Sequence, residues 1–161
     1  MAGPTAAGTT AAGTTAAGTT AAPGGRTRPA TRQWDLLLIV TGAPYGSDML
    51  TTALRLAQAV LRRGGTVRIW ACGYTTMVTQ TNLGELKPPN LRHPDRPYPS
   101  MPTVVRRLLA GFPGQVGWIG CTACSGERGA THHIEEVRLR SPARFAQTIA
   151  ASARTVFIGG A

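Results

Sequence analysis

The sequence predicts an α/β protein: an open, mainly parallel sheet of about five strands with helices on both faces. Three observations carry this. Short runs that are apolar throughout, rather than alternating, read as strands buried on both sides, which is the pattern of parallel sheets. Between them lie segments whose apolar residues recur at helical spacing. The order β-α-β-(α)-α-β-α-β then builds crossover units, and these are right-handed.

Order is expected from Trp34. Asp35–Thr41 is a continuous apolar run bounded by Gly42 and reads as the first strand. Gly42–Asp48 has turn chemistry, and Ser47 or Asp48 can cap the following helix. In that helix Met49, Leu50, Ala53, Leu54, Ala57, Val60 and Leu61 form an apolar stripe, while Arg55, Gln58 and Arg62 face away. Gly64-Gly65 ends it. Thr66–Cys72 is a second strand, and Tyr74–Gln80 a short helix. Residues 82–100 are rich in Pro, Asn and charge and form a long surface loop. Pro102 suits a first helical turn, with Ser100 or Met101 before it. Val104, Val105, Leu108 and Leu109 make the buried stripe of that helix, and Gly111 is its stop. Gln115–Gly120 is a third strand and residues 134–140 a short strand or extended connection. Ser141-Pro142 opens a last helix with Phe145, Ile149 and Ala153 inward, and Arg154–Ile158 is the final strand.

Composition sets limits on function. Residues 5–22 carry Ala-Ala-Gly-Thr-Thr three times in tandem. Side chains this small cannot offset the cost of ordering the chain, so residues 1–32 are expected to be a disordered tail and residues 33–161 the folded domain. The chain has 16 Arg, one Lys and seven acids, a net charge of +10. Such a balance favours an anionic partner: a nucleic acid, an acidic protein or an anionic metabolite. The arginines are scattered, however, with only Arg62-Arg63 and Arg106-Arg107 adjacent, as on solvated helix faces. Three cysteines with one C-x-x-C do not make a disulfide framework. They point to reduced, reactive or metal-binding thiols in a reducing compartment. The longest pure apolar run, Leu36–Val40, falls far short of the ~18 residues of a membrane helix, and the start of the chain lacks a secretory pattern. A cytoplasmic protein with no membrane partner is expected.

The chemistry is expected beyond the carboxyl ends of the strands, where open α/β sheets bind their ligands. Three segments project there: Gly42–Asp48, Cys72-Gly73-Tyr74, and Cys121–Gly129. Cys121 would sit where a strand turns into a helix, and backbone N–H groups there stabilise a thiolate. Arg128 adds positive charge. Cys124, three residues on, could resolve a persulfide or mixed disulfide on Cys121, or close a disulfide with it. The same pair also suits two inert buried thiols. A metal site drawing on Cys121, Cys124, His132 and His133 is disfavoured, because adjacent histidines rarely share one tetrahedral ion and no second C-x-x-C is present. No metal and no cofactor are therefore expected. Cys72 reads first as a core residue at a strand end, His132 and His133 as exposed loop residues, and Ser47 as a cap rather than a nucleophile.

The segment Val40-Thr-Gly-Ala-Pro-Tyr-Gly46, with Ala53-Leu54 and Ala57-Gln-Ala59 behind it, resembles the opening of the DsrE/DsrF-like family, and the pattern is nearest to its TusD-type sulfurtransferase subunits. The spacing from Cys121 to Arg128-Gly129 is similar to that around the family's persulfide-carrying cysteine, and the last strand fits. The resemblance covers residues 34–161. It implies an α/β domain that assembles into trimers or hexamers, alone or with paralogous subunits. It implies a sulfur carrier or sulfurtransferase that takes sulfane sulfur on Cys121 and passes it to an acceptor protein. Cys124 matches a second cysteine of some relatives. Tyr45, Gly46, Arg128, Gly129 and Cys72 would line the substrate site. The donor and acceptor are proteins, and nucleic acid enters only indirectly, through a tRNA-bound complex in tRNA thiolation. Two other readings fit the residues: a non-catalytic oligomeric binding module, and a thiol redox sensor using a Cys121–Cys124 disulfide.

Overall fold

The computed structural model describes residues 33–44, 46–83 and 90–159. The chain divides into two units, Met1–Ala30 and Thr31–Ala161, and the described residues all belong to the second. The expected tail 1–32, Tyr45 and residues 84–89 of the Pro-rich loop lie outside the described residues.

Five strands, β1 (Trp34–Val40), β2 (Val67–Ala71), β3 (Val116–Cys121), β4 (Val137–Arg140) and β5 (Ser152–Ile158), form one sheet in the order β4-β3-β2-β1-β5. Every pairing is parallel. The helices are α1 (Met49–Leu61), α2 (Met101–Gly111), α3 (Thr122–Glu127) and α4 (Phe145–Ala150), with 3₁₀ turns at Gly73–Thr79 and Pro142–Arg144. The fold class read from the sequence is the one observed.

The topology explains the layering. From β1 to β4 the chain steps in one direction across the sheet. From β4 it returns past the whole sheet to β5, on the far side of β1. Right-handed crossovers in opposite directions place their helices on opposite faces. On one face α1 and α2 bury Leu50, Ala53, Ala57, Leu61, Val105 and Leu108 against Leu36, Leu38, Val40, Val67, Ile69 and Trp118. On the other, Phe145 from α4 packs with Leu37, Ile39, Trp70, Ile119 and Cys121, its ring edge-on to Trp70 at 5.1 Å between centroids. Because both faces of β1 are covered, Leu36 through Val40 are all buried, which is why the run has no alternation. Full burial of each such side chain contributes about 1.5–3 kcal/mol.

Two local expectations are corrected. Asp48 is the residue before α1, but its side chain makes no capping hydrogen bond; the first turn of α1 relies instead on backbone bonds such as Thr52 N–H to Asp48 C=O at 2.9 Å. The last helix ends at Ala150, so Ala153 belongs to the exposed edge strand β5 and Ile149 is exposed, while Thr148 takes the buried position. Six residues make too short a stripe to bring both Phe145 and Ile149 onto the sheet. Among the described residues no helix is long and apolar enough to cross a membrane.

Candidate functional site

Register brings the cysteines together. In the β2–β3 pair Trp70 lies opposite Ile119 and Ala71 opposite Gly120. One residue further, Cys72 follows β2 as Cys121 closes β3, and period-two alternation puts both on the face of Trp70 and Ile119. Cys72, Cys121 and Cys124 pack into that same apolar cluster. The chain turns directly from Cys121 into α3, whose first turn carries Cys124 back over the strand ends. The Cys72 and Cys124 sulfurs lie 3.2 Å apart, and all three Sγ atoms fall within 4.8 Å of one another. All three are free thiols.

Their environments differ. Cys121 is 2% exposed, whereas Cys72 and Cys124 are partly exposed. Burial pushes the Cys124 thiol up, but opposing contacts outweigh it and hold it below the ordinary thiol range. These are the Gly73 backbone N–H, the thiols of Cys72 and Cys121, and the positive charge of Arg128. Cys72 is pushed up to about 12, by burial first, then by its S–H donating to Cys124 and by the charge of its two sulfur neighbours. Between the two partly exposed sulfurs, the surroundings therefore favour the thiolate form on Cys124 and the protonated form on Cys72. The backbone N–H that stabilises it comes from Gly73, not from the start of α3: Cys121 caps α3 without a side-chain hydrogen bond.

Gly73 has reason to be glycine. Its φ is +55°, a left-handed conformation, and a Cβ there would lie 2.9 Å from the Thr41 carbonyl oxygen. The chain thus crosses tightly over the end of β1, and Thr75 Oγ1 donates to the Gly42 carbonyl at 2.7 Å to hold it there. Arg128 donates to the Cys124 carbonyl at 3.3 Å and to Glu127 at 2.8 Å. Its guanidinium lies 4.8 Å from the centre of the exposed Tyr74 ring, a cation–π contact. Tyr74 also borders a cleft of about 270 Å³ with Thr41, Gly42, Ala43, Gly46, Ser47 and Met49. Of the residues expected at the site, Cys72, Cys121, Cys124 and Arg128 meet at the cluster. Gly46 lines the adjoining cleft, Gly129 (φ +63°) closes the turn after α3, and Tyr45 lies outside the described residues.

A polar network behind the thiols went unread in the sequence. The His132 backbone N–H donates to Gln80 Oε1 at 3.0 Å, which fixes the amide so that Nε2 faces His133 Nδ1 at 3.0 Å. His133 Nδ1 is then an acceptor, and Nε2–H donates to Ser125 Oγ at 3.1 Å. Thr79 Oγ1 also reaches Nδ1, at 2.8 Å. His133 is thus half-buried and bonded on both nitrogens, not a free loop residue; burial holds its pKa below the usual value. This tautomer is unsuited to activating Ser125 as a base would. The network ties the end of the 3₁₀ turn that starts beside Cys72 to Ser125, next to Cys124, and so fixes the two sulfurs relative to each other. No motif announced it, because its members are single polar residues scattered over 54 positions of chain.

Three thiols at this separation also have the donor set of a soft metal ion. A second cleft, of about 430 Å³, lies toward the start of β3 among Trp34, Arg68, Gly117, Glu136 and Arg138, away from the cysteines.

No protein-family model and no curated protein matches the chain. Among solved structures it is similar to the YchN protein of E. coli, with a TM-score of 0.61 and 19% identity, over 78% of this chain and 99% of that one. That neighbour has a DsrE/DsrF-like fold, and with the all-parallel five-stranded sheet the likeness establishes the same fold for this chain.

Proposed function

We propose that this protein is a sulfur carrier, taking sulfane sulfur from a donor protein as a cysteine persulfide and handing it to an acceptor. The observation that carries the reading is the cluster itself: three free cysteines with sulfurs within 4.8 Å of one another, the partly exposed Cys124 among them held below the ordinary thiol range. A thiolate attacks the outer sulfur of a donor persulfide, the donor leaves as its own thiolate, and the carried sulfur stays on the attacking residue. Exposure and charge favour Cys124 for this first attack. Cys121, the position implied by the family resemblance, is buried behind it and is placed to exchange the sulfur reversibly with Cys124 within the cluster. Arg128 offsets the negative charge that arrives.

The finer assignment, a TusD-type subunit in tRNA thiolation, rests on the residue pattern of Val40–Gly46 and Cys121–Gly129. It carries with it a cytoplasmic setting, where thiols stay reduced, and assembly into a trimer or hexamer. The test is incubation with a cysteine desulfurase and cysteine, followed by intact mass and peptide mapping. The wild type gains one sulfur and Cys124→Ser gains none. Normal loading of Cys124→Ser with none on Cys121→Ser moves the first attack to Cys121. A wild type that at no time gains a sulfur and releases none as sulfide ends the carrier reading.

A further inference from the structure

Cys72 is not explained by carriage alone. A carrier needs one thiol, and the C-x-x-C already supplies a second. Yet a third sulfur, that of Cys72, 52 residues away in the chain, lies 3.2 Å from the Cys124 sulfur. It is brought there by the register of β2 and held by the bonds that Thr75 and Thr76 make around the turn, to the Gly42 and Gly73 carbonyls at 2.7 and 2.8 Å. A disulfide sulfur pair sits at about 2.05 Å, so a small side-chain rotation closes the gap. Cys72 is partly exposed, which leaves a path for a small product to depart.

Resting on the carrier reading, we propose that Cys72 discharges the persulfide: it attacks Cys124 Sγ, forms a Cys72–Cys124 disulfide and releases the carried sulfur as hydrosulfide. The step balances within the cluster. The Cys72 S–H, which points at Cys124, gives its proton to the terminal persulfide sulfur. The bond between Cys124 Sγ and that sulfur breaks, the Sγ–Sγ bond forms, and HS⁻ leaves. The carried sulfur is reduced by two electrons, which come from the two cysteines as they pass to the disulfide. No outside oxidant enters, and an external dithiol reductant returns the pair to thiols for the next cycle. Cys121 stays outside the bridge. The protein therefore has a second outlet for its sulfur: inorganic sulfide, in the absence of an acceptor protein.

The experiment uses the full chain, reduced, desalted and kept free of oxygen. It is loaded with inorganic polysulfide, desalted again, and followed for free sulfide, intact mass and linked peptides. The wild type is expected to gain one sulfur, then lose it as one equivalent of sulfide, ending two hydrogens lighter than the reduced protein. Fragmentation of the linked peptides places the bridge between Cys72 and Cys124. Cys72→Ser and Cys72→Ala keep the added sulfur, with sulfide release slowed roughly 100-fold or more, as expected when an intramolecular nucleophile is lost. A Cys121–Cys124 bridge in the wild type overturns the proposal, as does release from the Cys72 variants at the wild-type rate. If the wild type holds its sulfur as long as the variants do, this step fails and carriage stands. If no form of the protein takes up sulfur, both fail together.

Discussion

Replacing Gly73 by alanine tests how the fold lowers the Cys124 thiol. Two costs follow from the geometry. The residue must hold φ +55° with a side chain, and the left-handed region costs an ordinary residue about 1–2 kcal/mol. The new Cβ would also stand 2.9 Å from the Thr41 carbonyl oxygen, a backbone atom that cannot swing aside. The turn must move, and a total loss of about 2–3 kcal/mol is expected, near the top of the usual range for one substitution. Moving the turn withdraws the Gly73 N–H from Cys124. A hydrogen bond to a charged group contributes about 1.5–3 kcal/mol. Because Cys124 is only partly buried, the low end applies, and 1.4 kcal/mol corresponds to roughly tenfold in the thiolate population.

Two measurements separate these effects. Urea unfolding reads the stability, and the pH profile of iodoacetamide alkylation at Cys124 reads the thiolate. Gly73→Ala should be less stable and, on the acid limb of the profile, roughly tenfold slower to alkylate. Gly64→Ala is the control. Gly64 also has a positive φ, +80°, but a Cβ there meets nothing within 4 Å, and the position closes α1 away from the thiols. It should lose about 1 kcal/mol and leave the alkylation profile unchanged. An unaltered profile in a destabilised, folded Gly73→Ala protein would refute the claim that this N–H makes the thiolate.

Two further outcomes follow from the same fold. His133 is held below its usual value of 6.5 by burial, so the unfolded chain takes up its proton first. Its contribution to stability is present above pH 6.5 and is lost as the pH falls through the lowered folded value. The thermal midpoint should drop on acidification through this window in the wild type, and His133→Gln should flatten that part of the profile; a parallel drop in both proteins would remove His133 as the cause. The edge strand β5 leaves Phe157 63% exposed and Val156 37% exposed. An unpaired apolar edge is a pairing surface, so if the proposed trimer or hexamer forms through this edge, Phe157→Glu should shift it toward monomer by light scattering, and an unchanged mass would place assembly elsewhere.

The parts of this protein that were legible in the sequence are those governed by local patterning. Leu36–Val40 reads as a doubly covered strand because burial on both faces removes alternation, and α1 reads from its stripe because its three and a half turns repeat it. The spacing of Phe145, Ile149 and Ala153 predicts a longer α4 than the structure has, because Ala151 already starts the turn into β5. The site divides the same way. Cys121, Cys124 and Arg128 are near neighbours in sequence and were found together. Cys72 and Gly73 were seen to project from the same sheet end, but their role depends on the β2–β3 register, and no spacing within either segment encodes that. The Gln80–His133–Ser125 network is likewise a product of tertiary approach.

Under the proposed carrier function, the arrangement of the three sulfurs sets how carriage and discharge would compete. Once Cys124 carries a persulfide, its negative charge moves outward to the terminal sulfur. The charge on Cys124 that had helped to keep Cys72 protonated then weakens, although its burial remains. Loading therefore makes Cys72 a better nucleophile than it is in the resting protein. An acceptor protein that approaches the exposed side near Tyr74 and Arg128 reaches the terminal sulfur directly, whereas Cys72 attacks the inner one. The two routes start from one intermediate and differ in which sulfur is struck. The yield of transferred sulfur should thus rise with acceptor concentration at the expense of free sulfide, while their sum stays at one equivalent per loaded chain. In Cys72→Ser the transferred fraction should become independent of how long the loaded protein waits before the acceptor is added.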